Sequence, residues 1–414
     1  MTGVTRRAFM RAGSLALVSF GPDPLFLDRA ALATRAGIMT TGGKTLVCLF
    51  QRGAVDGLNM IVPHGDPAYY RDRPRIGIPK NALLDLDDHF GFHPALAALK
   101  PRFDAGELAV IHAVGSPATT RSHFEAQDLM ESGTPLDRST ADGWASRYCD
   151  HHTEHQQTPF RSVAFGAKLP RTLSGTAPSL AIDDLRTFGL KAKNPEGSAQ
   201  LSRAFEDLYQ GGATGLLSQS SAEAFEAIRM LKEANPSRLN PEGGAVYPRG
   251  KLGLSLMQIA QLIKSNLGLE IAFADVGGWD THVNQGAAAG QLAARLSELG
   301  DALAAFATDL GSRMKDVVVL TMSEFGRTVN ENGTGGTDHG HGTAMLALGG
   351  AVKGGRVIGQ WPGLDLANRH EGRDLAVTTD FRSLFAEILT THLGARDLEA
   401  VFPTFKGPQS IGLT

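Results

Sequence analysis

Cysteine is nearly missing from this 414-residue chain, which carries only Cys48 and Cys149. Two thiols cannot build a disulfide scaffold or a cysteine zinc cluster, so any metal must be held by histidine and carboxylate. A surplus of either charge is missing too. The formal net charge is -3 and no Lys/Arg stripe is found, so the electrostatic footprint of a nucleic-acid partner is absent. No transmembrane segment is expected in the mature chain, because its apolar runs are too short to span a bilayer. What remains is globular: with 42% hydrophobic and 20% charged residues, the chain can bury a core as one large α/β domain or two ordinary ones.

The N-terminus reads as a targeting segment. Thr5-Arg6-Arg7-Ala8-Phe9-Met10-Arg11 pairs two arginines ahead of a short apolar run, Ala12 to Phe20, and Ala31-Leu32-Ala33 offers a small-residue cleavage site. Charged start, short apolar middle and A-x-A end describe an export signal, and the paired arginine is its twin-arginine form. Residues 1–33 are therefore expected to be a signal peptide, the twin-arginine export machinery a partner, and the mature domain, 34–414, periplasmic or secreted. That route carries proteins already folded, so a metal could be loaded before export.

Along the mature chain, runs of apolar and β-branched residues predict strands at Lys44–Gln51, Glu107–Val114, Leu269–Val276, Val317–Leu320 and Ala344–Leu348. Continuous apolar runs suit strands buried on both faces of a mostly parallel sheet. Helical patterns fall between them: Pro94–Phe103, His123–Glu131, Leu252–Leu267, and a stripe of Leu292, Leu296, Leu299, Leu303, Phe306 and Leu310. That stripe is core. Ser122 with Glu125 matches a capping box, and Thr379 or Asp380 caps a last helix that runs through Leu393 to Gly394. Asp142-Gly143-Trp144 with Arg147 reads as a capped helix start that packs its Trp. From about 185 to 250 the strands fade. Ser198–Tyr209 and Ser221–Ala234 read as helices of an insertion, free of repeats and placed to cap the site.

Ligands of an open α/β sheet gather at the carboxyl ends of its strands. Asp56 follows the first strand, Asp280 and His282 a later one, and Glu324 the next. Asp338, His339 and His341 stand together in a Gly/Asn/Thr-rich loop just before the last. Hard oxygens and imidazoles at this density suit divalent cations, and the pool of four carboxylates and three imidazoles is enough for two, with zinc or manganese favoured over magnesium or calcium. The plain alternative is a polar loop rich in histidine. A nucleophile would sit at the start of the helix after the second strand, where Thr119, Thr120 and Ser122 lie and where free N–H groups favour a phosphate or sulfate. Ser122 could equally be a cap and nothing more. Arg52, Arg121 and Arg327 flank the tips and could grip an anion bidentately. His123 is a candidate outer-shell partner, whereas His112 reads as structural; His89, His93, His151, His152 and His155 have no strand-tip context.

The twin-arginine start, RGAVDGLN, TRSHFEAQDLMESG, GGWDTH, SEFGRT and TDHGHGT together resemble domain of unknown function family 1501. This is a group of exported bacterial proteins usually placed in the alkaline phosphatase/sulfatase-like superfamily. The resemblance covers nearly the whole mature chain and is weakest across the insertion. It implies a three-layer α/β sandwich, two metal sites on the strand tips and a hydroxyl nucleophile. Carried over, Asp280 with His282 and either His341 or His339 resembles one metal's ligand set; Asp56 and Glu324, with Asp338 or the remaining histidine, resembles the other. The chain departs from that pattern in several places. Alkaline phosphatases space their first pair further apart than D-x-H, Glu324-Phe325 stands where they carry Asp-His, and Asp56 lies beyond the usual strand tip. No C-x-P-S-R occurs, so the formylglycine of ordinary sulfatases is not expected.

Three functions fit this reading. The first is an exported metal-dependent hydrolase of phosphate or sulfate esters, acting on a small-molecule or polymeric anionic substrate through a Ser/Thr nucleophile. The second keeps the metals but uses activated water on another ester, an amide or a glycan. The third is a metal-stabilised surface or binding protein that no longer turns over. Fold alone does not choose among them.

Overall fold

The computed structural model describes residues 43–153, 158–188, 226–408 and 410–414. The expected signal peptide, the expected helix Ser198–Tyr209 and the start of Ser221–Ala234 lie outside the described residues. In chain order the strands are β1 (Thr45–Gln51), β2 (Ile61–Val62), β3 (Leu84–Asp85), β4 (Gly91–Phe92), β5 (Leu108–Gly115) and β6 (Ser162–Phe165). They continue as β7 (Leu180–Ile182), β8 (Ile271–Val276), β9 (Val317–Met322), β10 (Thr343–Gly349), β11 (Arg356–Ile358) and β12 (Thr379–Asp380). The helices that pack on them are α1 (His123–Ser132), α2 (Trp144–His151), α3 (Lys251–Lys264), α4 (Gln291–Leu310) and α5 (Phe381–Thr391).

Nine strands form the main sheet in the order β11-β5-β10-β9-β1-β8-β6-β7, with β12 added alongside β5; β2, β4 and β3 make a small separate sheet. β1, β8, β9, β6 and β7 pair in parallel, as strands joined by helical crossovers do. β10 runs antiparallel to both β5 and β9. That reversal matters for the site. The residues before β10 reach the same sheet edge as the residues after β1, β8 and β9.

Alternation along the strands sorts the core into two layers. Val47, Leu49, Ala272, Ala274, Val317 and Val319 face one side, where α3 brings Leu256 and Ile259 and α4 brings Leu292, Leu296, Leu299 and Leu303. Leu46, Cys48, Phe50, Ile271, Phe273, Val318 and Leu320 face the other, against Trp144 and Tyr148 of α2 and Phe381, Leu384 and Phe385 of α5. Each buried Leu or Phe contributes about 1.5–3 kcal/mol, so the two helical layers hold the sheet from both faces. The result is a three-layer α/β sandwich with a mostly parallel sheet. Ala227 and Leu231, from the described end of the insertion, pack into the first layer. Residues 226–234 are helical, as their pattern predicts.

Local chemistry explains where elements start and stop. Asp380 caps α5 by accepting from the Arg382 N–H. Pro94–Phe103 is not one helix. A 3-10 turn over Pro94–Leu99 precedes a short helix at Lys100–Asp104, with Leu96 off helical geometry (φ -90, ψ 19). Pro101, which lacks an N–H and crowds the preceding turn, stands near that junction. The two cysteines are buried thiols, and burial pushes Cys149 up to about 12, so neither is a reactive thiolate.

Candidate metal centre

Five segments converge at the carboxyl edge of β1, β8 and β9. β1 gives way to Arg52-Gly53-Ala54, β8 to the loop with Asp280 and His282, and β9 to Ser323, Glu324 and Arg327; the loop before β10 supplies Asp338 and His339, and α1 supplies His123. Two glycines allow so close an approach. A Cβ on Gly53 (φ +118) would lie 2.8 Å from the Asp280 backbone nitrogen, and one on Gly340 would lie 2.3 Å from the Arg327 carbonyl carbon. Only hydrogen fits there.

At the centre is one carboxylate oxygen. Asp280 Oδ1 lies 3.0 Å from His282 Nε2, 3.3 Å from His339 Nε2 and 3.4 Å from His123 Nε2. The His282 and His339 Nε2 atoms are themselves 2.9 Å apart. Donor atoms of His123, Asp280 and His339 all fall within 4.8 Å of one another, a group able to hold a metal ion.

The far side of each ring fixes its tautomer. His123 Nδ1 lies 2.8 Å from Glu324 Oε1, His282 Nδ1 lies 3.2 Å from Asp338 Oδ1, and His339 Nδ1 lies 2.9 Å from the Arg121 carbonyl oxygen. Carboxylates and carbonyls only accept, so each Nδ1 must carry the hydrogen and donate it. In the neutral rings each Nε2 then carries a lone pair on the Asp280 side of the site, although the His282 one also lies 3.4 Å from the Arg327 Nη1 donor. Two lone pairs 2.9 Å apart repel unless a proton or a cation lies between them. The His123 Nε2 is buried without a hydrogen-bond partner. Imidazoles whose other nitrogen donates to an oxygen are the usual arrangement around a bound metal.

Electrostatics agree with that geometry. The hydrogen bond to Glu324 raises His123 above the ordinary imidazole value, whereas burial lowers His339. Burial pushes Asp280 upward, but Arg327, His282 and His123 more than offset it and hold the carboxyl low. Burial likewise acts upward on Glu324, and bonds from His123, Gln127 and Gly53 bring it below the usual carboxylate range. Asp338 is lowered by the Asn332 amide and by His282. All three acids are charged near neutral pH.

The sequence-predicted residues separate into those brought together and those placed elsewhere. Asp280, His282 and His339 face the common point. Glu324 and Asp338 stand one step back, as acceptors for ring N–H groups. Asp56 points away: it is buried, takes Arg73 Nη1 on both oxygens at 2.9 and 2.7 Å, and accepts from Gln285 at 2.6 Å. His341 stacks on His370 at 4.2 Å, and burial drives it down to about 4. His123, read from sequence as an outer-shell partner, instead directs its own Nε2 inward. The signal that marked it was its place directly after Ser122 at the first turn of α1.

Arg52 and Arg327 spend their N–H groups on the chain itself. Arg52 bonds Asp275, Gln127 and Glu131 at 2.6, 2.9 and 2.8 Å. Arg327 bonds the carbonyls of Gly53, Ala54, Trp279 and Thr337 at 2.7–3.1 Å, and Asp280 at 2.5 Å. Neither keeps a free fork for an anion. The hydroxyl loop does border the centre, because the Arg121 carbonyl that accepts from His339 lies between Thr120 and Ser122. Thr120 Oγ1 donates to Glu125 at 2.7 Å, so that carboxylate does not cap Ser122, whose exposed side chain makes no cap bond. Beside the histidines, Phe124 is 89% and Val283 51% exposed.

Among solved structures the chain is similar to the PsFucS1 sulfatase from Pseudoalteromonas sp. at 12% identity and a TM-score of 0.34, covering 83% of this chain and 69% of that one. It is similar to Ps i-CgsB in complex with k-i-k-neocarrahexaose at 6% identity and 0.38, covering 87% and 74%. The phosphonate monoester hydrolase of Agrobacterium radiobacter gives 11% and 0.35, covering 88% and 79%. These are loose likenesses, and the chemistry of the centre stands on its own side chains. No curated protein matches the sequence. The model for "Protein of unknown function (DUF1501)" matches residues 43–400, and the chain belongs to that family.

Proposed function

We propose that the chain is an exported, divalent-cation-dependent hydrolase of phosphate or sulfate esters. The observation that carries the reading is the set of three imidazoles, each with its Nδ1–H given to an oxygen, each with Nε2 turned toward Asp280 Oδ1. Three imidazole nitrogens drawn in around one carboxylate oxygen, with the buried His123 Nε2 left without a hydrogen-bond partner, suit a cation better than a core. Three nitrogens and one oxygen suit zinc or manganese better than magnesium or calcium. A divalent cation bound there would polarise an ester oxygen and make a nucleophile available near neutral pH.

The chain's own residues do the rest. Glu324, Asp338 and the Arg121 carbonyl orient the rings, and Arg327 orients Asp280. Ser122, whose hydroxyl makes no cap bond, stands next to the Arg121 carbonyl that holds His339 and is the nucleophile of this reading. Phe124 and Val283, exposed and next in sequence to His123 and His282, are the apolar groups available for the uncharged part of a substrate. The commitment of Thr120 to Glu125 favours a second reading only if Ser122 fails: activated water then attacks in its place.

The test is a panel of aryl phosphate and sulfate monoesters and diesters, run with the cation-loaded full chain. Turnover lost in both Asp280→Ala and His339→Ala is expected. Activity unchanged in both excludes the centre as the place of reaction. Ser122→Ala separates the two nucleophiles, since full turnover in that variant leaves water as the attacking group. A cation bound tightly with no turnover of any ester would leave a metal-stabilised binding protein.

A further inference from the structure

We infer that the Arg327 guanidinium holds the place a second cation would take, so that the centre binds one divalent ion and not two. This rests on the cation reading above.

Position is the first argument. Arg327 Nη2 lies 2.5 Å from Asp280 Oδ1, the same oxygen that faces the three imidazoles, and Nη1 lies 3.4 Å from His282 Nε2. A carboxylate shared by two cations has one on either side of it. Here the oxygen that faces the imidazoles is already bonded by a fixed positive charge, which also reaches His282 Nε2. The Arg327 side chain is 0% exposed. Its nitrogens are held by the carbonyls of Ala54, Thr337, Gly53 and Trp279. It cannot swing aside to admit an ion.

The second argument is the supply of ligands. Glu324 Oε1 already accepts from Gly53 N–H, Gln127 and His123, each at 2.8 Å, and Oε2 lies 3.2 Å from Ser323 Oγ. Asp56 is engaged by Arg73 and Gln285, and His341 by His370. Among the described residues the donors form one group.

Charge is the third. Asp280, Glu324 and Asp338 face the three rings, and Arg327 is the guanidinium bonded to Asp280. Three carboxylates less one guanidinium leave two negative charges, which one divalent ion cancels. A second ion would leave two positive charges uncompensated in a half-buried site.

The roles of fixed charge and mere scaffold predict opposite signs. A guanidinium a few ångströms from a cation repels it, so Arg327→Gln, which removes the charge, should tighten zinc binding roughly tenfold or more. Arg327→Lys keeps the charge and should bind within about threefold of wild type. If Arg327 only positions Asp280, the Gln variant binds more weakly.

The experiment is calorimetric titration of the chelator-stripped full chain with zinc, with metal content counted after dialysis. One ion per wild-type chain, lost in Asp280→Ala, is expected. Two ions per chain, both lost in Asp280→Ala, overturn the inference and leave the cation reading intact. No ion removes both. A folded Arg327→Gln that binds zinc more weakly also overturns it, and if that variant does not fold, the wild-type stoichiometry decides.

Discussion

Replacing Glu324 by glutamine isolates what a buried charge behind a ligand contributes. Glu324 Oε1 accepts from the Gly53 N–H, Gln127 Nε2 and His123 Nδ1, all at 2.8 Å, while Oε2 lies 3.2 Å from Ser323 Oγ. A glutamine oxygen can keep all three bonds. Its amide nitrogen then faces Ser323 Oγ, whose own hydrogen goes to the Gln51 carbonyl at 2.8 Å and which accepts from the Val55 N–H at 3.1 Å, leaving one lone pair to accept. Shape and hydrogen bonds survive and only the charge is lost. His123 then loses the carboxylate that raises its basicity. Removing such an outer carboxylate typically weakens metal binding about 10–100-fold, or roughly 1.4–2.7 kcal/mol. Zinc titration of Glu324→Gln should show that loss, with little change in the thermal midpoint of the cation-free protein. Glu324→Ala, by contrast, strands three donors, each costing about 1–3 kcal/mol, and should lower that midpoint clearly. Zinc affinity of Glu324→Gln within about twofold of wild type would refute the outer-carboxylate argument.

Other outcomes follow from the same geometry. Protonated His123 cannot ligate, and its pKa stands above the ordinary 6.5; zinc binding followed against pH should therefore begin to weaken above pH 6.5 as acid is added. The cation-free protein should show the opposite sign. There the raised His123 stabilises the fold below 6.5, and that contribution fades as pH climbs through its folded value, which urea midpoints at several pH values will detect. Asp56→Ala leaves the buried Arg73 without its partner and should cost about 3–5 kcal/mol in denaturant unfolding, while zinc affinity stays close to wild type; loss of zinc binding in the folded variant would return Asp56 to the ligand set. Changing Arg6 and Arg7 together to lysine should keep the precursor inside the cell, as fractionation will show, and normal export would remove the twin-arginine reading.

The sheet was the most legible part of the chain, because strands buried on both faces write themselves as unbroken apolar runs. The runs at Lys44–Gln51 and Val317–Leu320 match β1 and β9 to within a few residues. The stripe from Leu292 to Leu310 matches α4 in the same way. Direction is not written in such runs. Nothing in TAMLALG says that β10 lies antiparallel, although that reversal is what carries His339 to the sheet edge. At the site, strand-tip logic singled out Asp280, His282, Glu324 and His339, which the structure brings to one sheet edge, because each follows or precedes a central strand. It placed Asp56 by the same rule and had no means of weighing Arg73, 17 residues further on, whose guanidinium claims it. It gave Arg327 to a substrate anion because the carbonyls that surround it come from Gly53, Ala54, Trp279 and Thr337, remote in sequence. It read His123 as an outer-shell partner and had no means of seeing the inward aim of its ring, which depends on tertiary contacts, here the bond to Glu324 and the stack on Phe325 at 5.0 Å.

Anomalous diffraction from crystals of the chain grown with zinc, collected on both sides of the zinc edge, bears most directly on the convergence of the imidazoles. A single strong peak is expected between His123, His282, His339 and Asp280, with ligand distances of about 2.0–2.3 Å to the three Nε2 atoms and one carboxylate oxygen. A peak elsewhere, or none at that point at saturating zinc, would contradict the account.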